Sequence, residues 1–282
     1  MRHMPIKKSP LKSVMACIGA LCSIAASADS CVSLQGDAVQ GGLLWGQALS
    51  ATEIRFADQL VPIMPGGYFV LGLGRDMPAV NTLLVVTEHP CRQDIIVTQR
   101  DYVLQRVTGV PQQTVTPSEE QLARTRAERA RVQAAKSRRI ERTDGLEGLR
   151  GSFIWPVTGP ISGVYGSQRI YNGTPGAPHY GIDIARPAGT LVSAPAAGEV
   201  TLAESDLFYS GGTVILDHGY GLSSSFLHLS QVSVAVGDRV TAGDVLGAVG
   251  ATGRATGPHL DWRMSWFNHR IDPQLLVPPM PD

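Results

Sequence analysis

The sequence predicts a mainly β protein: a small N-terminal β-sandwich-like domain, a helical linker and a C-terminal antiparallel β-sheet domain. Three observations carry this. Short runs of alternating apolar residues recur between Gly and Pro breaks, the period-two signature of half-buried strands. The chain holds 31 Gly and 19 Pro among 282 residues, with only 6% aromatics, a composition suited to many turns. An arginine-rich stretch with a helix-start signal lies between the two strand-rich regions. Hydrophobic residues make up 43% of the chain, which leaves room for two domains and a real core.

Residues 1–28 read as a signal peptide. Lys7, Lys8 and Lys12 precede an apolar stretch from Val14 to Ala26, and Ala26-Ser27-Ala28 supplies a small-residue cleavage site. The apolar run is too short for a stable membrane span. The mature chain is therefore expected to begin at Asp29 and to be exported, with the periplasm as the expected compartment and secretion or wall association as alternatives. Cys17 and Cys22 leave with the leader, so Cys31 and Cys91 remain as an even pair. In an oxidising compartment such a pair predicts one disulfide, constraining the unfolded chain by about 4 kcal/mol.

Residues 29–110 form the N-terminal β domain. Its strand signals include Gly41–Gly46, Tyr68–Gly72 and Thr82–Thr87. Gly72-Leu73-Gly74-Arg75-Asp76 resembles a phosphate loop only on the surface, since Pro78 intervenes and no helix start follows; it reads as a turn. Residues 111–150 form the linker. Thr116-Pro117-Ser118-Glu119 supplies a cap, a first-turn proline and a capping-box glutamate, so a helix is expected from there. Arginines run from Arg124 to Arg142, with Lys136 among them, which predicts a solvated spacer helix or, alternatively, a segment drawn to anionic envelope polymer. Gly145, Gly148 and Gly151 end it. Residues 151–282 form the second β domain.

The chemistry concentrates in that last domain. Pro178-His179-Tyr180-Gly181-Ile182-Asp183 and Gly257-Pro258-His259-Leu260-Asp261-Trp262 offer nitrogen and carboxylate donors, and His228 stands between them in Phe226-Leu227-His228-Leu229. Three such ligands with an open fourth position are how proteins hold a catalytic zinc. After the Gly257-Pro258 turn the pattern reads as a strand, so His259 and Asp261 share one face while Leu260, Trp262 and Met264 face the core. His228 ends another strand-like run, and all three could line one sheet face. His179 and Asp183 also read as strand, because Gly181, Ile182, Ile184 and Pro187 oppose a helix. Fully extended, their Cα atoms would lie about 13 Å apart at roughly 3.3 Å per residue, near the limit for sharing a metal. A kink at Gly181 is therefore expected. His218 reads as a turn histidine in Asp217-His218-Gly219. His3, His89 and His269 carry no usable pattern.

The order of motifs resembles the lysostaphin-like, LytM-type peptidoglycan metallopeptidases over roughly residues 151 to 276. Trp155-Pro156-Val157 is followed by Gly163-Val164-Tyr165-Gly166, His179-Tyr180-Gly181-Ile182-Asp183, Asp217-His218-Gly219, His228-Leu229, Gly250-Ala251-Thr252-Gly253 and Gly257-Pro258-His259-Leu260. The resemblance implies a zinc-dependent hydrolase of amide bonds in peptidoglycan stem peptides or cross-links, with His179 and Asp183 as ligands and His228 and His259 as catalytic residues. Arg169 and Asn172, in the glycine-rich loop before His179, are candidate substrate-binding residues.

One departure stands out. The third ligand in that family is the last histidine of a His-x-His motif, and this chain has Asp261 there. Two carboxylates and one neutral imidazole cancel the charge of a divalent zinc, which predicts weaker polarisation of water and an alkaline rate optimum. Asp261 could instead bond Arg263 or hold a water. Degenerate members of the family act as regulators that activate other cell-wall hydrolases, and Asp261 keeps that alternative open. A formal net charge of zero gives no general reason to expect nucleic acid.

Overall fold

In the computed structural model the described residues are 32–107, 118–138, 149, 151, 153–171 and 173–281. The expected leader and its cleavage site lie outside them, as do Cys31, and with it the expected Cys31–Cys91 bond, Thr116, Pro117 and Asn172.

The N-terminal runs form strands where alternation puts them. These are β1 (Ser33–Gln35), β2 (Leu43–Gln47), β3 (Glu53–Phe56), β4 (Gln59–Leu60), β5 (Tyr68–Gly72), β6 (Val80–Val86), β7 (Cys91–Ile96) and β8 (Leu104–Val107). They pair as two small antiparallel sheets, β1-β2-β5 and β4-β3-β6-β7, while β8 joins a strand from further along the chain. Phe69, Val70 and Leu71 of the first sheet and Ile54, Phe56 and Leu83 of the second are essentially inaccessible. Burying a side chain of that size contributes roughly 1.5–3 kcal/mol. Residues 75–76 form a turn, as expected for the Gly72–Asp76 segment.

The linker helix, α1, spans Glu119–Ser137. Its cap is Ser118, two residues later than the sequence pattern suggests. Ser118 Oγ accepts from Gln121 N at 3.2 Å and Ser118 N donates to Gln121 Oε1 at 2.9 Å, so Gln121 rather than Glu119 closes the capping box. Nor is α1 a free spacer. A narrow stripe, Val132 and Ala135, packs on Leu202, Leu207 and Ile215. Arg124 pairs with Asp206 at 3.0 Å and Arg131 with Glu204 at 3.2 Å. The arginine content hid this stripe because few apolar side chains mark it.

The remaining strands are β9 (Ile161–Gly163), β10 (Gln168–Tyr171), β11 (Thr174–Pro175), β12 (Ile182–Ala185), β13 (Leu191–Ser193), β14 (Gly198–Leu207) and β15 (Gly211–Gly219). They continue with β16 (Leu222–Leu229), β17 (Gln231–Val232), β18 (Arg239–Val240), β19 (Val245–Ala248), β20 (His259–Trp266) and β21 (His269–Ile271). The central sheet is antiparallel in the order β18-β14-β15-β16-β20-β12-β9, with β21 beside β20. A small sheet, β13-β19-β17, lies apart from it, and β10 pairs with β11 and, in parallel, with β8.

The two faces of the central sheet differ. Ile182, Ile184, Val214, Phe226, Leu260, Trp262 and Met264 fill one face and are fully buried. That core is continuous with the N-terminal sheets: Phe56 meets Trp266 at a centroid distance of 6.3 Å. A Cβ on Gly72 of β5 would come within 2.4 Å of Trp266 Cβ, so the glycine is what lets the strand approach. Cys31–Asp282 accordingly form one compact unit. The opposite face carries the polar candidates and α1.

His218 corrects the sequence reading. Strand β15 runs on through Gly219, and the chain reverses at Tyr220 and Gly221, with φ of 56° and 82°. His218 is therefore a fully buried strand residue, its Nδ1 2.8 Å from Ala197 O and its Nε2 2.7 Å from Ser224 Oγ.

Candidate metal centre

Strand register assembles the site. Asp183 of β12 lies directly opposite Asp261 of β20, and Asp261 directly opposite Leu227 of β16. Directly opposed residues share a face, so the two carboxylates project together. The expected kink is present: the chain bends at Gly181 and β12 begins only at Ile182. His179 thus sits in the approach loop, held by His179 N donating to Ser167 O and Gly166 N donating to His179 O, both at 2.8 Å. Freed from strand geometry, its Nε2 comes to 3.2 Å from Asp183 Oδ1. Two glycines make room. A Cβ on Gly163 would meet Asp183 Oδ2 at 2.2 Å, and one on Gly181 would meet Arg263 Cγ at 2.5 Å and Asp261 Oδ1 at 2.9 Å.

His179, Asp183 and Asp261 each offer a ligand atom within 4.8 Å of the others. His179 Nε2 and Asp183 Oδ1 are buried and have no hydrogen-bond partner among the described residues. Leaving such atoms unsatisfied is costly, and a shared cation satisfies both at once. The donor set of one imidazole and two carboxylates fits a divalent zinc.

His228 and His259 complete the cluster, with ring centroids 4.9 Å apart. Strict alternation would turn His228 toward the core with Leu222, Ser224 and Phe226. A β-bulge prevents this: Leu227 and His228 together oppose Thr213, between the pairs Val214–Phe226 and Gly212–Leu229. His228 takes φ of 64°, a conformation that strains a bulky side chain and is tolerated where function requires it. Its Nδ1 lies 2.8 Å from Thr252 O, and the Nδ1 of His259 lies 2.8 Å from Gly257 O. Carbonyl oxygens only accept, so both Nδ1 atoms carry the proton and both Nε2 atoms keep a lone pair when the rings are neutral. His259 Nε2 is 3.8 Å from Asp183 Oδ1. Burial pushes the His228 pKa down, only partly opposed by its bond to Thr252, so this ring is neutral at pH 7.

Two residues matter more than the sequence pattern indicated. Thr252 positions His228: its Oγ1 donates to Leu229 O at 2.8 Å and accepts from Gly212 N at 2.9 Å. Its place in Gly250-Ala251-Thr252-Gly253 was the available signal. Arg263 is the other. Its Nε donates to Asp261 Oδ1 at 2.9 Å, and its Nη2 donates to Oδ2. Burial pushes the Asp261 carboxyl up, but the Arg263 charge and hydrogen bonds more than reverse this and hold it below the usual carboxylate range.

Arg263 also overturns the charge count made from ligands alone. Two carboxylates and one guanidinium sum to minus one, the same as one carboxylate with two neutral imidazoles. The Asp261–Arg263 pair is thus the formal equivalent of a neutral histidine, and the alkaline optimum expected from Asp261 alone does not follow. Arg169 is exposed on β10, where its Nε donates to Gln105 Oε1 of β8 at 3.1 Å.

A family model described as Peptidase family M23 matches residues 177–273, a span containing every candidate ligand and both further histidines. A crystal structure assigned to peptidase M23 from Pseudomonas aeruginosa is 31% identical with a TM-score of 0.63, and the match covers 85% of this chain and 94% of that one. The cell division protein DipM of Caulobacter vibrioides is 33% identical over 135 residues, 46% of this chain and 21% of that protein. The DD-carboxypeptidase/endopeptidase Mpg of Neisseria meningitidis serogroup B is 39% identical over 104 residues, 37% of this chain and 24% of that protein. The matched segments span less than a quarter of these curated relatives.

Proposed function

This chain belongs to peptidase family M23, and from that premise we propose that it is a zinc-dependent endopeptidase hydrolysing amide bonds in the stem peptides or cross-links of bacterial peptidoglycan. One observation carries the reading: the buried His179 Nε2 and Asp183 Oδ1, without a hydrogen bond among the described residues, stand 3.2 Å apart, within reach of Asp261. His179, Asp183 and Asp261 would hold the metal, which supplies Lewis acidity and a water nucleophile at neutral pH. The Neisseria meningitidis relative is named a DD-carboxypeptidase/endopeptidase, which supports the peptidase part of this reading.

The chain's own residues supply the rest. With Nδ1 carrying the proton, the neutral forms of His228 and His259 present Nε2 lone pairs, so either could take a proton from the attacking water. The imidazolium formed would return that proton to the leaving amine, or donate a hydrogen bond to the carbonyl oxygen as charge builds there. Thr252 and Gly257 fix the tautomers in advance. Bonding to Arg263 does not disqualify Asp261, because a carboxylate has about four lone-pair sites and Arg263 occupies only part of them.

The engagement of Asp261 by Arg263 favours one other reading, a regulator of wall hydrolases that performs no chemistry itself. Metal analysis of the purified protein followed by digestion of isolated peptidoglycan separates the two. One zinc per chain with released stem peptides is the expected result; metal-free protein that leaves the wall intact refutes the enzyme. Export to the periplasm is part of this proposal, since the substrate lies there. Among the described residues no helix is long and apolar enough to cross a membrane.

A further inference from the structure

His179 lies outside the strands, so its aim at Asp183 depends on what holds the approach loop. Its backbone is clamped by the turn around Tyr165 and Gly166, through Gly166 N donating to His179 O and His179 N donating to Ser167 O. The turn is closed by Ser167 Oγ donating to Val164 O at 2.9 Å and by a long backbone bond from Ser167 N to the same oxygen at 3.4 Å. A short turn closed in this way keeps its shape but does not fix its own place in the fold.

The N-terminal region supplies that anchor. Gln168 N donates to Val103 O at 2.9 Å, and the parallel pairing of β10 with β8 continues from Gln168–Leu104 to Tyr171–Val107. The Ser167–Gln168 peptide unit therefore joins the two regions: its N–H bonds Val103, and its carbonyl receives the N–H of His179. Arg75 secures the preceding peptide unit, its Nε donating to Gly166 O at 2.9 Å. The Arg75 side chain is only 11% exposed, and a cationic donor in such a setting makes a stronger bond than a neutral one in water. Tyr102 completes the contact. A Cβ on Gly166 would collide with the Tyr102 ring, the Arg75 guanidinium lies 4.3 Å from the centroid of that ring, and Tyr165 meets it edge-on at 6.1 Å. Arg75 belongs to the Gly72–Asp76 turn, so the segment that resembles a phosphate loop on the surface directs its one cation to the ligand loop.

We propose that Arg75 and Tyr102 are positioning residues for His179, so that the first domain completes the metal site carried by the second. The assignment rests on the metal-centre reading above and deepens it. Strand register fixes Asp183 and Asp261 within the central sheet, whereas the loop ligand is held from the N-terminal side. Removing a group that orients a metal ligand lowers affinity about 10- to 100-fold, and here the orientation passes through backbone, one bond further from the metal, which points to the lower end of that range.

The test is zinc titration of the full-length protein in competition with a chromophoric chelator, alongside urea unfolding of each metal-free variant. Affinity measured on folded protein does not register a loss of global stability, so the two readouts separate positioning from general support. Arg75→Met and Tyr102→Ala are expected to bind zinc about tenfold more weakly than wild type. Tyr102→Phe keeps the ring against Gly166 and is expected to bind zinc as wild type does. Arg100→Met loses the pair with Asp272 at the same interface, at 2.9 Å, without touching Gly166; its urea midpoint should fall while its zinc affinity stays at the wild-type level. Folded Arg75→Met and Tyr102→Ala variants with wild-type zinc affinity overturn the proposal. So does an Arg100→Met variant that loses affinity alongside them, because affinity would then follow the interface at large. If Arg75→Met fails to fold, the Tyr102 pair decides, and equal affinity of Tyr102→Ala and Tyr102→Phe refutes the positioning role. Zinc binding by wild type with every variant unchanged sinks this inference alone, whereas a wild type that binds no zinc sinks the reading beneath it.

Discussion

Replacing Arg263 by Met removes the charge and every donor facing Asp261 while keeping much of the aliphatic volume. The Asp261 side chain is only 3% exposed and the Arg263 side chain 30% exposed, so the carboxylate is left with little solvent to replace what it loses. Breaking a fully buried pair by removing one partner costs about 3–5 kcal/mol. Partial exposure of the guanidinium screens the interaction, which brings the expected loss to about 2–3 kcal/mol. Urea unfolding of metal-free wild type, Arg263→Met, Asp261→Asn and the double variant gives the coupling directly, expected near 2 kcal/mol. The pH dependence has a defined sign. In wild type the Asp261 carboxyl is held low, so its contribution is full above the unfolded carboxylate pKa of about 3.9 and is lost as pH falls through the lower folded value. In Arg263→Met burial acts unopposed and raises that carboxyl. The deficit of the variant is therefore constant above that raised value and shrinks as pH falls below it. A coupling below about 0.5 kcal/mol, or a deficit that persists unchanged at pH 3, would refute the claim that Arg263 stands in for the missing imidazole charge.

His179→Ala should lower bound zinc, measured by atomic emission after dialysis, from one per chain to less than a tenth, with the fold retained by circular dichroism. Gly163→Ala drives a Cβ into Asp183 Oδ2, so zinc affinity in a chelator competition should fall at least tenfold and stability by about 1–3 kcal/mol. His228 has a folded pKa lowered by burial, so its stabilising effect is present above the unfolded value of about 6.5 and is lost as pH falls toward the folded value. His228→Gln should flatten the wild-type stability profile below about pH 6.5 in metal-free protein, and an unchanged slope would exclude His228 as its source.

The strands were legible because their cause is local. Alternation between Gly and Pro breaks marks β2, β5 and β6 to within two residues, and it put Leu260, Trp262 and Met264 on the core face opposite Asp261. The bend at Gly181 followed from a distance argument and from a glycine placed midway between His179 and Asp183. Other features resisted because no local signal encodes them. His228 reaches the site only through a bulge opposite Thr213, and a bulge is a property of two paired strands. Helix α1 looked like a solvated spacer because its packing stripe is two small residues among arginines; what it rests on belongs to β14 and β15, well over sixty residues away.

From sequence alone, residue types and local periodicity specified a β-rich chain carrying imidazole and carboxylate donors, and the order of its motifs carried the resemblance to a peptidase family. Only the tertiary structure decided what those donors meet. Register set Asp183 against Asp261, the approach loop brought His179 Nε2 to Asp183, and Arg263 restored the charge that the substitution of Asp261 for histidine had changed. The physical reason is range: hydrophobic alternation acts between neighbours in the chain, whereas charge and coordination depend on distances of a few ångströms between residues that only folding brings together.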